Sequence, residues 1–141
     1  MGVTIENKNK SIDMGYGGFH RLRTKVAYLT NEELGKFYEK SVEGMGLLDE
    51  ERKKFYKEYD ERLNQIDKEL NVSPYILDFL YASDCEGKLS AKHCRRIYNV
   101  IKDYDDDVLY GYCGRPDCAK FKDFKAIVKD CVDHNIQMRW W

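Results

Sequence analysis

Residues 13 to 23, Asp-Met-Gly-Tyr-Gly-Gly-Phe-His-Arg-Leu-Arg, place three glycines, two rings, a histidine and two arginines in one short stretch. Gly15, Gly17 and Gly18 can take backbone angles closed to other residues, which lets main-chain N–H groups converge. A helix expected to follow adds unsatisfied N–H donors and a partial positive charge at its N-terminus. Strand, glycine turn and cationic helix together make a recipe for holding phosphate or carboxylate, with Tyr16 and Phe19 placed to stack on a base. A tight strand-to-helix turn that needs glycine only for geometry explains the same residues. No Gly-Lys-Ser/Thr closes the loop as in a Walker motif, and the Gly-x-Gly-x-x-Gly spacing of dinucleotide folds is missing.

Tyr110-Gly-Tyr112-Cys-Gly-Arg115-Pro-Asp117 unites two rings, two glycines and an arginine, and is the candidate for an opposite wall of such a pocket. Read plainly, it is an irregular connection in which Pro116 and Asp117 start a helix. Other constellations carry less. Ala82 to His93 falls into register with an EF-hand loop, glycine at the sixth place, but Ala82 and His93 stand where carboxylates must bind calcium. A reversal held by Asp84 and Glu86 bonding to backbone N–H groups accounts for it better. Cys118 and Cys131, thirteen residues apart on one expected helix, would lie about 20 Å apart, too far to share a zinc ion with Cys113 and His134. Asp103, Asp105, Asp106 and Asp107 read as a solvated acidic loop. His20, His93 and His134 have no evident serine or cysteine motif beside them, so no catalytic residue, metal or cofactor is expected.

The elements that must position these residues follow from periodicity. Val3 to Glu6 and Ser11 to Met14 read as an antiparallel hairpin. From Phe19 the apolar residues Phe19, Leu22, Val26 and Leu29 mark a helix buried along one stripe. At 100° per residue Arg23 lies beside that stripe and Arg21 points largely away, so Arg23 and His20 are the better site candidates. Thr30-Asn-Glu-Glu33 reads as a capping box for a second helix, ended by Gly44 and Gly46. Leu47 to Leu70 is a long charged surface helix, and Ser73-Pro74 starts a central apolar one. Ser90 caps a helix running to about Asp103, and Asp117 caps a last one through Phe121, Phe124, Val128 and Cys131. Ile136 to Trp141 alternates as a terminal strand added to the hairpin. The fold class is therefore α+β, a mostly helical single domain over residues 1–141 with a small antiparallel sheet from the hairpin and the C-terminal strand.

Composition bounds the function. With 24 Lys plus Arg against 25 Asp plus Glu there is no basic field to draw in a nucleic-acid polymer, so any anion site is local. No apolar run approaches the roughly 20 residues that span a bilayer, and no basic-then-apolar leader opens the chain, which points to a cytoplasmic protein. Five cysteines without such a leader are expected to be reduced. The surplus of eleven tyrosines suits wet core edges and stacking surfaces.

Gly15-Tyr-Gly-Gly-Phe-His-Arg-Leu-Arg23, Ser83-Asp-Cys-Glu-Gly87 and the closing apolar strand together resemble a loosely defined family of small, uncharacterised bacterial and bacteriophage proteins. The resemblance implies a phage or prophage context and no known reaction. Three functional expectations result. The first is a non-enzymatic protein that encloses a phosphate-bearing small molecule, such as a nucleotide immune signal, using Gly15, Tyr16, Gly17, Gly18, Phe19, His20, Arg23, Tyr110, Tyr112 and Arg115. The second is an inhibitor that binds a host defence protein through tyrosine-rich and acidic surfaces, and the third is a nucleotide-degrading enzyme. A homo-oligomer is compatible with each.

Overall fold

The computed structural model describes residues 2–111 and 118–141. Two strands, β1 (Gly2–Glu6) and β2 (Ser11–Gly15), pair antiparallel with Val3 opposite Met14 and Ile5 opposite Ile12. Asn7 makes the turn between them, its side-chain oxygen accepting the N–H groups of Asn9 and Lys10. The C-terminal strand β4 (Met138–Trp140) lies on the other side of β1, as its alternation predicts, with Met138 and Trp140 buried and Arg139 paired to Glu6 at 2.7 Å. A fourth strand, β3 (Gly87–Leu89), extends β4 and gives the order β2-β1-β4-β3, antiparallel throughout. Three residues are too short for a period-two signal, which is why the sequence reads this stretch as a loop.

Among the described residues are six α-helices. They are α1 (Tyr16–Thr30), α2 (Glu32–Glu39), α3 (Asp49–Leu70), α4 (Pro74–Tyr81), α5 (Ala91–Ile101) and α6 (Phe121–His134), with a 3-10 segment at Lys40–Gly46. Helices α1, α5 and α6 pack on the sheet. The core between them centres on Phe19, Phe79, Phe121, Phe124 and Trp140, all buried, with Phe19, Phe79 and Trp140 in mutual edge contact. Each such side chain contributes on the order of 1.5–3 kcal/mol by burial. Helix α3 is the charged surface helix expected, with Tyr59 and Ile66 as its buried residues. Asn71 and Asn135 end α3 and α6 in the left-handed conformation that closes a helix without glycine.

Several local expectations are corrected. Helix α1 begins at Tyr16, so Gly17 and Gly18 belong to its first turn and the glycine stretch is not a free loop. Asn31, not Thr30, caps α2, accepting the N–H groups of Glu33 and Leu34. Thr30 still belongs to α1 and turns its hydroxyl back to the Val26 carbonyl. Helix α6 starts at Phe121, where the Asp123 carboxylate accepts the Lys120 N–H at 2.8 Å. Asp117, expected as its cap, lies outside the described residues. The turn after α4 is held by Ser83, whose Oγ accepts the Cys85 N–H, rather than by Asp84 or Glu86.

Candidate functional site

The helical phasing separates two arginines that sit two residues apart. Arg21 is exposed, donates to the Leu109 carbonyl at 3.1 Å and lies over the Tyr110 ring. Arg23 points into the protein and is 4% exposed. Its guanidinium donates to three main-chain carbonyls in the last turn of α4 and just beyond it: Nη1 to Leu80 at 3.1 Å and Ala82 at 2.7 Å, Nη2 to Ser83 at 3.0 Å. The Phe19 ring lies 4.1 Å from its carbon, with Phe79 and Trp140 further round. The indole N–H of Trp140 donates to the same Ser83 carbonyl at 2.9 Å. A side chain at Gly87 would collide with the Trp140 ring. The turn from Ser83 to Glu86 is thus clamped by an arginine from α1 and a tryptophan from β4, and Gly87, the first residue of β3, makes room for that tryptophan.

Arg23 does not reach out of the protein, but it forms the floor of a cleft of about 300 Å³. Tyr16, Phe19 and His20 of α1 line one side, Tyr38 of α2 with Val42 and Met45 of the 3-10 segment another, and Tyr81 and Asp84 a third. The His20 ring stacks on Tyr38 with centroids 5.2 Å apart. Burial, and then the Arg23 charge, hold the His20 imidazole below its ordinary pKa, so at neutral pH it is uncharged and offers one donor and one acceptor. Burial raises the Tyr38 phenol while the adjacent guanidinium opposes the shift. Behind the cleft Tyr59 and Tyr81 join hydroxyls at 2.7 Å, and burial pushes Tyr81 up to about 12. These phenols stay protonated across the physiological range.

Burial lowers the Arg23 pKa from its ordinary value, yet a guanidinium stays charged in proteins. Among the described residues no carboxylate lies within ion-pair distance of it, and its buried Nε has no hydrogen-bond partner. Three carbonyl dipoles solvate the cation without cancelling its charge. Asp84, at the exposed rim, offsets part of the field but is screened by water.

The structure gathers Tyr16, Phe19, His20 and Arg23 into this one cleft. It does not bring Gly15, Gly17 or Gly18 to its lining. Gly18 has a packing role instead: a Cβ there would stand 1.9 Å from the Tyr110 carbonyl oxygen. Tyr110 is therefore close to the glycine stretch, as expected, but its ring is buried beside Phe121 and its hydroxyl donates to Asp106 at 3.1 Å. It is a core residue and not a wall of the cleft. Tyr112 and Arg115 lie outside the described residues. Tyr38 and Tyr81 enter the site unannounced by any motif, the surplus of tyrosine being their only signal, while Asp84 belongs to the Ser83–Gly87 stretch that the sequence singles out as a loop and not as part of this site. Two depressions of about 570 Å³, beside Glu6 and Arg139 and beside Gly87 and Trp141, and one of about 440 Å³ between Arg21 and Glu39, are larger. None of these gathers a buried charge and several rings, so the smaller cleft is the better candidate site. No protein-family model, curated protein or solved structure matches this chain.

Proposed function

We propose that the cleft between α1, α2 and the end of α4 is a non-catalytic binding site that takes a small phosphate-bearing molecule with a planar ring. The observation that carries this reading is the buried Arg23 guanidinium, with no carboxylate in ion-pair distance among the described residues, beneath a cleft walled by His20, Tyr38, Tyr16 and Tyr81 with Asp84 at its rim. Arg23 acts as a fixed positive charge, because three of its N–H groups already serve carbonyls. Direct hydrogen bonds come from neutral His20 and the tyrosine hydroxyls, and the rings stack on the base. In the phage context implied by the sequence resemblance, the ligand is a nucleotide signal held rather than destroyed.

A thermal-shift screen with nucleotides, cyclic dinucleotides and ADP-ribose derivatives tests the reading. A ligand at 100 times its dissociation constant adds about 2.7 kcal/mol of stability. The binder should be recovered intact after denaturation, and His20→Ala should weaken it with the fold retained. No shift with any of these compounds would overturn the proposal.

One observation favours a second reading, inhibition of a protein partner. Val42 and Met45, which line the cleft, and Leu48, three residues further along the chain, are 41%, 67% and 82% exposed, apolar side chains of the kind that partners cover. Retention of a host protein on the immobilised chain, lost in a Met45→Glu, Leu48→Glu double variant and unaccompanied by any nucleotide shift, would favour it.

A further inference from the structure

A second cluster lies apart from the cleft, at the junction of α4 and α5. Ser90 caps α5, its Oγ accepting the His93 N–H at 3.3 Å. The same Oγ stands 2.7 Å from His93 Nδ1, and His93 Nε2 stands 2.8 Å from Asp78 Oδ2 on α4. An ionised carboxylate can only accept, so Nε2 carries the ring proton; Nδ1 of the neutral ring is then an acceptor, and the Ser90 hydroxyl donates to it. Capping a helix needs only the serine oxygen and a backbone N–H. It explains neither the imidazole nor the carboxylate.

A hydroxyl that donates to an imidazole, itself oriented by a carboxylate, is the arrangement that turns serine into a nucleophile; here the two ring nitrogens exchange their usual parts. The His93 side chain is only 20% exposed and takes the Tyr75 ring edge-on at 4.8 Å, while Ser90 is open to solvent. Lys92 Nζ and the Arg96 guanidinium lie 5.2 and 6.0 Å from the centre of that same Tyr75 ring, so the His93 imidazole has an aromatic ring and two cations around it besides the Asp78 carboxylate.

We propose that Ser90 is a nucleophile for acyl transfer, with His93 as its general base and Asp78 as a positioning residue, acting on small carboxylic esters that bear an anionic group. Ser90 Oγ bonds to the carbonyl carbon as its proton passes to His93 Nδ1. The C=O electron pair moves onto oxygen, beside the Ala91 and Lys92 N–H groups of the first turn of α5, which have no intrahelical acceptor, the His93 N–H being already given to Ser90 Oγ. When the C=O bond re-forms, the bond to the alcohol oxygen breaks and the leaving alcohol takes the proton from Nδ1. Water then repeats the sequence on the acyl-serine, releasing the carboxylic acid and restoring Ser90.

The full chain treated with an alkyl fluorophosphonate tests this, since Oγ–P forms, P–F breaks, and fluoride and one proton leave. Mass spectrometry should find a single adduct, mapped to Ser90. Ser90→Asn, which caps a helix as well as serine does, should keep its melting temperature and take no adduct. His93→Ala should be labelled about 100-fold more slowly or worse, with free imidazole restoring part of the rate. Asp78→Asn should slow labelling and Asp78→Glu should recover it. His93→Gln keeps an amide acceptor for the Ser90 hydroxyl but no basic nitrogen, and supplies the comparison should His93→Ala fail to fold. No adduct on Ser90 in the folded wild type would overturn the proposal. So would a His93→Gln protein that melts lower yet labels at the wild-type rate, since that is the behaviour of a structural tether.

Discussion

Replacing Arg23 by methionine would keep an apolar stem among Phe19, Phe79 and Trp140 while removing the guanidinium. Three carbonyls would lose a donor. That of Ser83 retains the Trp140 indole N–H, whereas Leu80 and Ala82 have no second donor among the described residues. A buried acceptor left without a partner costs about 1–3 kcal/mol, which applies to Leu80, and less at the part-buried Ala82, so the pair costs about 2–4 kcal/mol. The lost contact of the cation with the Phe19 ring adds about 1 kcal/mol. Against this, the variant no longer desolvates a charge that has no carboxylate partner, which returns part of the loss. We expect a net destabilisation of about 3 kcal/mol in urea unfolding, equivalent to roughly 10 °C in melting temperature for a chain of this size. Arg23→Lys should lose nearly as much, because one compact ammonium cannot span three carbonyls in the way a planar fork does. Since domains of this kind hold about 5–15 kcal/mol in reserve, the variant should stay folded at room temperature. Ligand binding can therefore be measured on it, and the loss of the buried charge should weaken any anionic ligand. A methionine variant within about 1 kcal/mol of wild type, at unchanged dependence on urea, would refute the clamp.

Gly17→Ala and Gly18→Ala should move stability in opposite directions: nothing lies within 4 Å of a Cβ at Gly17, where alanine should add about 0.5–1 kcal/mol, while at Gly18 the Cβ meets the Tyr110 carbonyl and the variant should melt lower. Equal losses at both positions would return the glycine stretch to a role in backbone shape. Because burial and Arg23 lower the folded-state pKa of His20 from its ordinary 6.5, the unfolded chain takes up the proton first; stability should fall as pH drops through about 6.5 and be unaffected by this group above it. Urea midpoints at pH 7.5 and 5.5 should differ less in His20→Gln than in the wild type. Asn31→Ala should cost about 1 kcal/mol through loss of the α2 cap, and Thr30→Ala, at the expected but wrong cap position, should cost less by thermal denaturation.

The sequence by itself determined what local contacts encode. The hairpin, the buried stripe of α1, the charged face of α3, the Ser90 cap and the alternation of β4 were all legible, because residues one to four positions apart share a face or a turn. The α+β class followed from those elements, and so did the inward turn of Arg23 and the outward turn of Arg21. Tertiary structure alone decided what each side chain meets. Arg23 meets carbonyls 57 to 60 residues away, which makes it the fixed charge of a floor rather than a free hand for a ligand. Gly18 is glycine because the Tyr110 backbone passes over it, not because a loop must cradle an anion. The strand β3 exists only through its pairing with β4, and Asp78 reaches His93 only because α4 and α5 pack side by side. Local spacing fixes direction along an element; the chain's path through space fixes partners, and charge, burial and reactivity belong to partners.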